Sequence, residues 1–487
     1  MQTKEKTSLR ALIVMVAAIG IPVALQNLFS TTGSMIDTMM IASLGENSVG
    51  AVGLCAQFSS LMFSGYWGFV GGGTLFFSQY WGAQNHDGIR RAYGMTLSFM
   101  MISGLLCGFM AVFHPDIILS LYTDSPEIQA IGIQYLRIVG ISYPLQIIVS
   151  AMAALLRSIE RVKIPLISGI CSVVSNCVCN YILIFGKFGL PAMGVRGAAL
   201  GTVIACLVNI GVMYLLIIIR KVPYIPDVRA HFRWNLPLLK NYISKCLPIL
   251  FNEVLIGIGN MMINIVLGHQ INEAIAATAV LRTLEGMILA FFSGFASAAS
   301  VLVGKEVGAG HHEEAFSRGW RIIYLCAGMI GVVGVLLISI HSPLLRMLGL
   351  SGLSFEIATG MLIIFCLVAI IRMSNWCMND TYRAAGDSAF GSVLEIAFMF
   401  LMVQPVIHIA NDLFHAPFLL VFLLCYVDEP VRFVIMQIHM YSRRWIRPVS
   451  VEGQATLAEF HRKYGITEPE RLFLPPWSAH KSNKTYR

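Results

Sequence analysis

Long apolar runs separated by short polar stretches extend along most of the chain. From Ala11 to Met440, apolar segments of about 20 residues recur between breaks rich in glycine, proline and charge, and one such segment crosses a bilayer as a helix. The strict alternation of an outer-membrane barrel strand is absent. The pattern predicts an all-α polytopic membrane protein with twelve transmembrane helices, at 11–41, 48–78, 92–113, 132–156, 164–186, 194–219, 243–268, 274–304, 320–341, 357–380, 390–410 and 416–441.

The twelve predicted helices fall into two copies of six. Under one shift of 226 residues, GSMIDTMMIASLGENSVGAVGL (33–54) lies over GNMMINIVLGHQINEAIAATAV (259–280), and WGAQNHDGIRRA (81–92) over VGAGHHEEAFSR (307–318). An even number of helices gives both copies the same orientation, so we expect parallel, pseudo-symmetric six-helix bundles. The expected divisions are an amino-terminal lobe (1–221), an inter-lobe linker (222–242), a carboxy-terminal lobe (243–442) and a peripheral or partly disordered tail (443–487).

Charge fixes the expected orientation. Only 12% of residues are charged, about half the usual share in soluble proteins, and lysine and arginine gather in the loops on one side. By the positive-inside rule those loops are cytoplasmic, so we expect a multi-pass protein of the inner (plasma) membrane with both termini in the cytoplasm. The net charge of +8 is spread among loops, so it does not indicate nucleic-acid binding. We expect a monomer whose partners are the lipid bilayer and a small-molecule substrate.

Asp37 is the most informative residue of the first copy. It stands in an apolar helix, where a carboxylate costs about 2.5–3.5 kcal/mol on insertion scales. Pro22, fifteen residues earlier, removes a backbone hydrogen bond and can kink that helix. A carboxylate in this setting can take up a cation from one side and release it to the other. The alternative is an aspartate that only caps or bonds neighbouring helices.

Three polar residues of later helices are candidate partners of Asp37. Asn176 and Asn180 are four apart and share a helical face, and Thr202 follows on the next helix. Their oxygens can help to coordinate Na⁺ or bond the carboxylate, or they can simply join packed helices. We expect no cofactor and no resident metal; the coupling ion would be H⁺ or Na⁺, with Na⁺ possible at Asp37.

The second copy holds most of the remaining intramembrane charge. Glu253 is the acid nearest the middle of a helix and is a candidate for binding the coupling cation or a substrate; the alternative is a static ion pair, for which Arg372 is a candidate partner. Arg282 and Glu285, three apart, are expected to pair with each other. Asp380 and Glu395 lie near helix ends, where a structural role is expected. Weaker candidates for a substrate cavity are Gln26, Met35, Met39, Tyr66, Met261, Arg282, Met287, Phe292 and Arg372.

Four segments carry a family resemblance. IPVALQNLFSTTGSMIDTMMIASLGENSVGAVGL, QYWGAQNHDGIRRA, AALLRSIERVKIP and LIFGKFGLPAMGVRGAALGTVIA resemble, in order and spacing, the multidrug and toxic compound extrusion (MATE) family. The resemblance covers about residues 10–440. It implies two six-helix lobes in a V, rocker-switch alternating access, and export of mostly cationic, amphipathic compounds against inward H⁺ or Na⁺.

The resemblance also assigns roles to single residues. Asp37 matches the first-helix aspartate of the family, and Asn176, Asn180 and Thr202 match its amino-lobe cation site. Glu253 matches a seventh-helix glutamate, but its usual partner acid has no clear counterpart, because Arg372 occupies the middle of the tenth helix.

Two functions remain open at this point. The first is a cation-coupled antiporter that exports small amphipathic compounds. The second is a flippase for lipid-linked precursors, a function found in the same fold superfamily, for which Arg282 and Arg372 are the only evident ligands of a pyrophosphate. The chain has no histidine, aspartate and serine constellation at membrane depth and no nucleotide-binding motif, so we expect neither an enzyme nor an ATP-driven pump.

Overall fold

The structure is a computed structural model that describes residues 8–225, 231–268 and 272–466. Every regular element in those ranges is helical. The first half contains α1 (Leu9–Ala42), α2 (Glu46–Gly82), α3 (His86–Phe113), α4 (Pro115–Ser120), α5 (Pro126–Val139), α6 (Ser142–Ser158), α7 (Lys163–Phe185) and α8 (Val195–Ile219). The second half contains α9 (Leu236–Gly268), α10 (Asn272–Gly308), α11 (His312–Ser339), α12 (His341–Met347), α13 (Gly352–Ala385), α14 (Ser388–Phe398), α15 (Gln404–His408), α16 (Phe418–Leu424), α17 (Asp428–Ser442) and α18 (Val451–Tyr464).

The described part of the chain contains ten helices that are long and apolar enough to cross a membrane. An eleventh span is formed if α5 and α6, which meet at an angle of 48°, count as one broken helix. The predicted span at 390–410 runs through α14 and α15 with π-helical turns at Met399–Val403 and Ile409–Leu413, beside Pro405, which has no N–H to donate. The prediction of an all-α, multi-pass membrane protein is confirmed.

The predicted twelfth span, 416–441, is divided. Its two pieces, α16 and α17, are separated by a break at residues 425–427, and each is shorter than a full span. Helix α17 carries Asp428, Glu429 and Arg432, which explains why this region does not have the apolar character of the other ten.

Buried apolar side chains form two hydrophobic cores. One contains residues from Ile41 to Ile217, together with a few residues that follow α8. The other contains residues from Ile263 to Phe460. Each core therefore lies almost entirely within one of the two sequence repeats, and we call the two bodies the amino lobe and the carboxy lobe.

Helix α1 contributes to both lobes. Its first half, with Leu12, Val16 and Val23, is buried in the core of the carboxy lobe, whereas Ile41 at its end is buried in the amino lobe. The helix continues without interruption through Pro22. Asn27, just beyond the proline, donates a 2.7 Å hydrogen bond to Ser293 Oγ on α10 of the opposite lobe.

The two lobes meet tightly where α2 and α10 end. A Cβ added to Gly82 would lie 1.9 Å from the carbonyl oxygen of Lys305, and one added to Gly308 would lie 2.0 Å from that of Gln79. Gly82 and Gly308 are equivalent positions of the repeat, so the two contacts are related by the internal symmetry. Only glycine permits this approach of two backbones. We call this region, with the adjacent tail, the tail end of the molecule.

The tail is packed against both lobes as far as the structure describes it. Trp445 and Ile446 are buried, Arg447 N donates to Ala385 O at 2.9 Å, and Val449 N donates to Gln79 Oε1 at 2.7 Å. The expectation of a peripheral segment is thus corrected for residues 443–466, since these apolar side chains and backbone groups have partners on the lobes. The predicted tail residues 467–487 lie outside the described ranges. Helix α9 begins at Leu236, so the predicted linker end at 242 falls inside that helix.

Candidate functional site

Asp37 and Asn180 are in direct contact. Asp37 lies on α1 and Asn180 on α7, and Asn180 Nδ2 donates a short hydrogen bond to Asp37 Oδ1. The same amide nitrogen lies 3.3 Å from Asn176 Oδ1, one helical turn away. The structure therefore brings together three of the four residues proposed for the amino-lobe site.

A close helix contact fixes the position of Asn180. Its side chain is completely buried, and a Cβ added to Gly201 on α8 would lie 2.0 Å from Asn180 Oδ1. That oxygen has no hydrogen-bond partner among the described residues. The site thus holds a carboxylate beside a buried amide oxygen that can accept a hydrogen bond or contact a cation.

Thr202 does not take part in this contact. Its hydroxyl donates to Ala198 O of its own helix at 3.1 Å. In this conformation the Thr202 hydroxyl therefore bonds to its own helix, whereas the sequence predicted that it would help Asp37 to bind the cation. The other three residues remain as a carboxylate and two amides.

Asp37 has no ion pair with lysine or arginine among the residues that the structure describes. The partly buried carboxylate is instead met by a neutral amide. A permanent cation nearby would hold the carboxylate ionised, whereas an amide leaves it able to bind and release a positive ion.

Glu253 pairs with Arg383 and not with Arg372, the candidate partner that the sequence suggested. Arg383 Nη1 lies 3.3 Å from Glu253 Oε1, and Arg383 Nη2 donates to Asn252 Oδ1 at 2.6 Å. The predicted spans 357–380 and 390–410 place Arg383 in the loop between them, but it lies in the last turn of α13 and its side chain is mostly buried. Asp380, one turn earlier, is 3.9 Å from the same guanidinium.

Glu395 links this pair to α17. Its Oε2 accepts hydrogen bonds from Asn252 at 3.1 Å and Asn379 at 3.2 Å, and its Oε1 lies 3.7 Å from Arg432 Nη1. Glu395 and Asp380 therefore belong to a partly buried polar cluster on the carboxy lobe. They do not merely cap helices at a polar surface.

Arg372 forms its ion pair with Glu285. The carboxylate of Glu285 is nearly inaccessible and accepts a short bond from Arg372 Nη1, while its other oxygen lies 3.3 Å from Arg282 Nη1. The predicted pairing of Arg282 with Glu285 is confirmed. Arg372 Nε also lies 4.0 Å from Glu429 Oε1, which joins this triad to α17.

Together these groups form one charged network across five helices of the carboxy lobe. Six acids face four arginines: Glu253, Glu285, Asp380, Glu395, Asp428 and Glu429 against Arg282, Arg372, Arg383 and Arg432. The sequence analysis missed Asp428, Glu429 and Arg432, although the letters DEPVR inside a predicted span were a signal. The acids outnumber the arginines by two.

The equivalent positions of the first copy lack these acids. The repeat shift places Gln26 and Asn27 at the positions of Asn252 and Glu253, and Arg157 at the position of Arg383. Gln26 Oε1 is buried without a partner among the described residues, and Arg157 Nε donates only to Ala153 O, at 3.3 Å. The two lobes therefore differ in chemistry at symmetric places.

The weaker cavity candidates have different environments. Tyr66 and Phe292 are 4% and 1% exposed and pack inside the two cores, so they border no open space in this conformation. Met35, Met39 and Met261 are exposed, and Gln26 and Met287 are partly buried. A cavity-lining role for these residues stays a prediction.

Comparison with known proteins agrees with the internal repeat. The MatE family model matches residues 22–182 and 248–408, two ranges of equal length that start 226 residues apart. The chain is 22% identical over 417 residues to the uncharacterized transporter YisQ of Bacillus subtilis, covering 84% of this chain and 90% of that protein. It is 24% identical over 391 residues to the probable multidrug resistance protein YoeA of the same organism, covering 79% and 84%.

Solved structures share the fold. An aspartate-to-asparagine variant of the Vibrio cholerae MATE transporter VcmN superposes with a TM-score of 0.80 at 16% identity, covering 89% of this chain and 97% of that chain. A superfamily transporter from Pyrococcus furiosus, whose structure is described as having a binding pocket of reversed polarity, superposes with a TM-score of 0.78 at 16% identity, covering 91% and 100%. At this identity the likeness shows the V-shaped, two-lobed MATE fold alone.

Proposed function

Because the chain belongs to the MatE family of membrane transporters and is not an enzyme, we propose that it exports small amphipathic cations in exchange for H⁺ or Na⁺. The exchange uses rocker-switch alternating access, and the tail end faces the cytoplasm of the cell that carries the protein in its inner (plasma) membrane. Multidrug resistance proteins among the relatives are consistent with this substrate class.

The observation that carries the proposal is the contact of Asp37 with Asn180. A carboxylate inside a membrane helix without a basic partner is costly, and ionisable residues at such positions usually mark ion pathways. When a proton or Na⁺ reaches Asp37 from outside, the negative charge is neutralised, and the bond from the Asn180 amide weakens. The unpartnered Asn180 Oδ1 then offers a second oxygen to the incoming ion.

The proposed ion exchange has sufficient driving force. A proton that moves down a potential of 100 mV releases about 2.3 kcal/mol. Each unit of pH difference adds about 1.36 kcal/mol. Exchange of one monovalent cation for one proton cancels the voltage term, so a singly charged substrate would be concentrated by the pH difference alone.

Support for a cationic substrate comes from the carboxy lobe. Its network has two more acids than arginines, and Glu253 is about one-third exposed beside Arg383. A partly exposed excess of carboxylates attracts cations into a cleft and repels anions.

The flippase alternative has less support. Arg282 and Arg372, the candidate ligands for a pyrophosphate, both bind Glu285, so each already has a carboxylate partner. A lipid-precursor flipping assay in proteoliposomes separates the two functions, because an exporter of cations would not move the labelled lipid from one leaflet to the other.

The test uses cells and proteoliposomes with the Asp37→Asn variant. We expect wild-type protein to lower cellular ethidium and to release H⁺ or show Na⁺ dependence on addition of ethidium, and Asp37→Asn to do neither while reaching the same membrane level. Asp116→Asn is the matched control, because Asp116 is an exposed aspartate outside the predicted spans. Unchanged efflux in Asp37→Asn would refute the role of Asp37.

A further inference from the structure

A basic cavity lies at the tail end of the molecule. Its volume is about 570 Å³, and it is enclosed by the start of α9, the segment 444–449 and one face of α18. The positively charged or titratable groups that line it are Lys245, Arg444, Arg447 and His461. No aspartate or glutamate of the described residues lines it.

Few of these basic groups are neutralised. Lys245 Nζ donates to Gly386 O at 2.5 Å and has no carboxylate partner in the described ranges. Arg444 likewise forms no ion pair there. Arg447 Nη1 binds Asp387 at 3.0 Å, but that buried carboxylate is shared with His439 Nε2, also at 3.0 Å. One acid thus faces three basic side chains, and donors of Lys245 and Arg444 remain available to a ligand.

His461 lines the same cavity and carries an unsatisfied polar atom. Its Nε2 is buried and has no hydrogen-bond partner among the described residues. Buried polar atoms normally have partners, and this nitrogen gains one only if the ring turns toward an anion in the cavity. Asn241 and Gln454 add neutral donors at the same cavity.

We propose that this cavity is a binding site for a phosphate group. Guanidinium forks and an ammonium group are the side chains that bind phosphate oxygens through charge-assisted hydrogen bonds. The group can belong to an anionic phospholipid or to a free phosphate in the cytoplasm. A lipid can reach it, because α9 has 33 residues and is longer than the roughly 20 needed to span the hydrocarbon, so its first turns extend into the headgroup region.

Occupation of the site connects the tail to both lobes. Lys245 lies on α9 between Tyr242 and Cys246, which are buried in the core of the amino lobe, and its ammonium group donates to Gly386 O of the carboxy lobe. Arg444, Arg447 and His461 belong to the tail. The tail in turn binds Gln79 of the amino lobe through Val449. A phosphate that bridges Lys245 and the tail therefore stabilises the conformation in which the tail end is closed.

The test measures thermal unfolding of the full chain with two probes. The first is inorganic phosphate, titrated into protein in a neutral detergent, with acetate at equal ionic strength for comparison. The second is phosphatidylglycerol in nanodiscs without phosphate buffer, compared with phosphatidylcholine. The variant is Lys245→Gln with Arg444→Gln, and the matched control is Arg462→Gln, which removes an exposed charge of α18 that does not line the cavity.

We expect at least one probe to raise the melting temperature of the wild type and of Arg462→Gln in a saturable manner. The double variant should bind that probe about tenfold or more weakly. A response to phosphate alone assigns a free phosphate, and a response to phosphatidylglycerol alone assigns a lipid. Equal responses to acetate, or equal responses of wild type and double variant, would overturn the proposal. If the double variant unfolds, Arg444→Gln alone, at an exposed position, gives the same comparison.

Discussion

Lys305 and Glu160 form an ion pair between the two lobes, with Lys305 Nζ 2.8 Å from Oε1 and 2.9 Å from Oε2 of Glu160. Glu160 also accepts a 3.4 Å hydrogen bond from Trp81 Nε1. Both partners of the ion pair are about one-third exposed, so the pair adds little to overall stability. Because this ion pair joins the two lobes, it must break when the tail end opens.

Removal of this ion pair should shift the lobes toward opening at the tail end. In Lys305→Gln we expect faster hydrogen exchange at residues 79–83 and 304–309, with a loss of less than about 1 kcal/mol in the free energy of unfolding. Hydrogen exchange with mass spectrometry measures the first and thermal unfolding the second. Asp87→Asn, which removes a pair with Arg90 inside the amino lobe, is the control. Identical exchange in both variants would contradict the expectation.

Gly201→Ala should disable the Asp37 site without a change in any charged residue. The new methyl group would lie 2.0 Å from Asn180 Oδ1, so the amide must move and release Asp37. We expect loss of ethidium efflux, with a destabilisation of about 1–3 kcal/mol from overpacking.

Gly211→Ala is its matched control, because it lies on the same helix and has no atom within 4 Å of the added Cβ. Thermal unfolding and efflux are measured on both variants. If Gly201→Ala transports as well as Gly211→Ala, the position of Asn180 does not matter to Asp37.

The network of the carboxy lobe should depend strongly on Arg383. In Arg383→Gln the carboxylates of Glu253 and Asp380 lose their nearest cation, and we expect a loss of about 2–3 kcal/mol, since Glu253 is partly hydrated. The double variant with Glu253→Gln should recover part of that loss, because one unpaired acid is removed. Arg346→Gln, at an exposed position, should change little. A double variant that is less stable than Arg383→Gln alone would contradict this coupling.

Ser450 should hold α18 against the carboxy lobe. Its hydroxyl caps the helix by accepting from Gly453 N at 3.2 Å and donates to Gly308 O at 2.7 Å. Ser450→Ala should therefore cost about 1 kcal/mol and increase hydrogen exchange along α18. Ser60→Ala is the control, because Ser60 is exposed and bonds only to its own helix. Unchanged exchange in α18 would show that other contacts hold the tail.

Contacts between residues three or four positions apart on one helix were predictable from the sequence. Contacts that depend on how far one helix is shifted along its neighbour were not. Asn176 and Asn180 share a face at a spacing of four, and Arg282 meets Glu285 at a spacing of three. Arg372 and Arg383 also share a face of α13, because eleven residues make nearly three full turns, but they lie about 16 Å apart along its axis. Which of them meets Glu253 depends on the relative height of α9 and α13, and no local pattern gives that height.

The tail was hard to predict for a different reason. Residues 443–466 are polar overall, and only a few apolar side chains, including Trp445, Ile446 and Phe460, are buried. Their spacing has no clear helical period, and much of the docking uses backbone groups such as Val449 N and Arg447 N. Any residue except proline can donate a hydrogen bond from its backbone N–H, so such contacts cannot be recognised from the amino-acid sequence.

The course of α1 through both cores limits how the molecule can move. Leu12 and Val16 are embedded in one lobe, and Ile41 and the Asp37 contact belong to the other. The lobes cannot rotate apart unless the first turns of α1 leave the apolar core of the carboxy lobe, or unless α1 bends between the segments that are packed in the two lobes. Pro22, where one backbone hydrogen bond is missing, lies within the part of α1 that is packed in the carboxy lobe, because Val23 and Asn27 beyond it still contact that lobe. The stretch that must bend or shift when the lobes separate is therefore the one between Asn27 and Asp37.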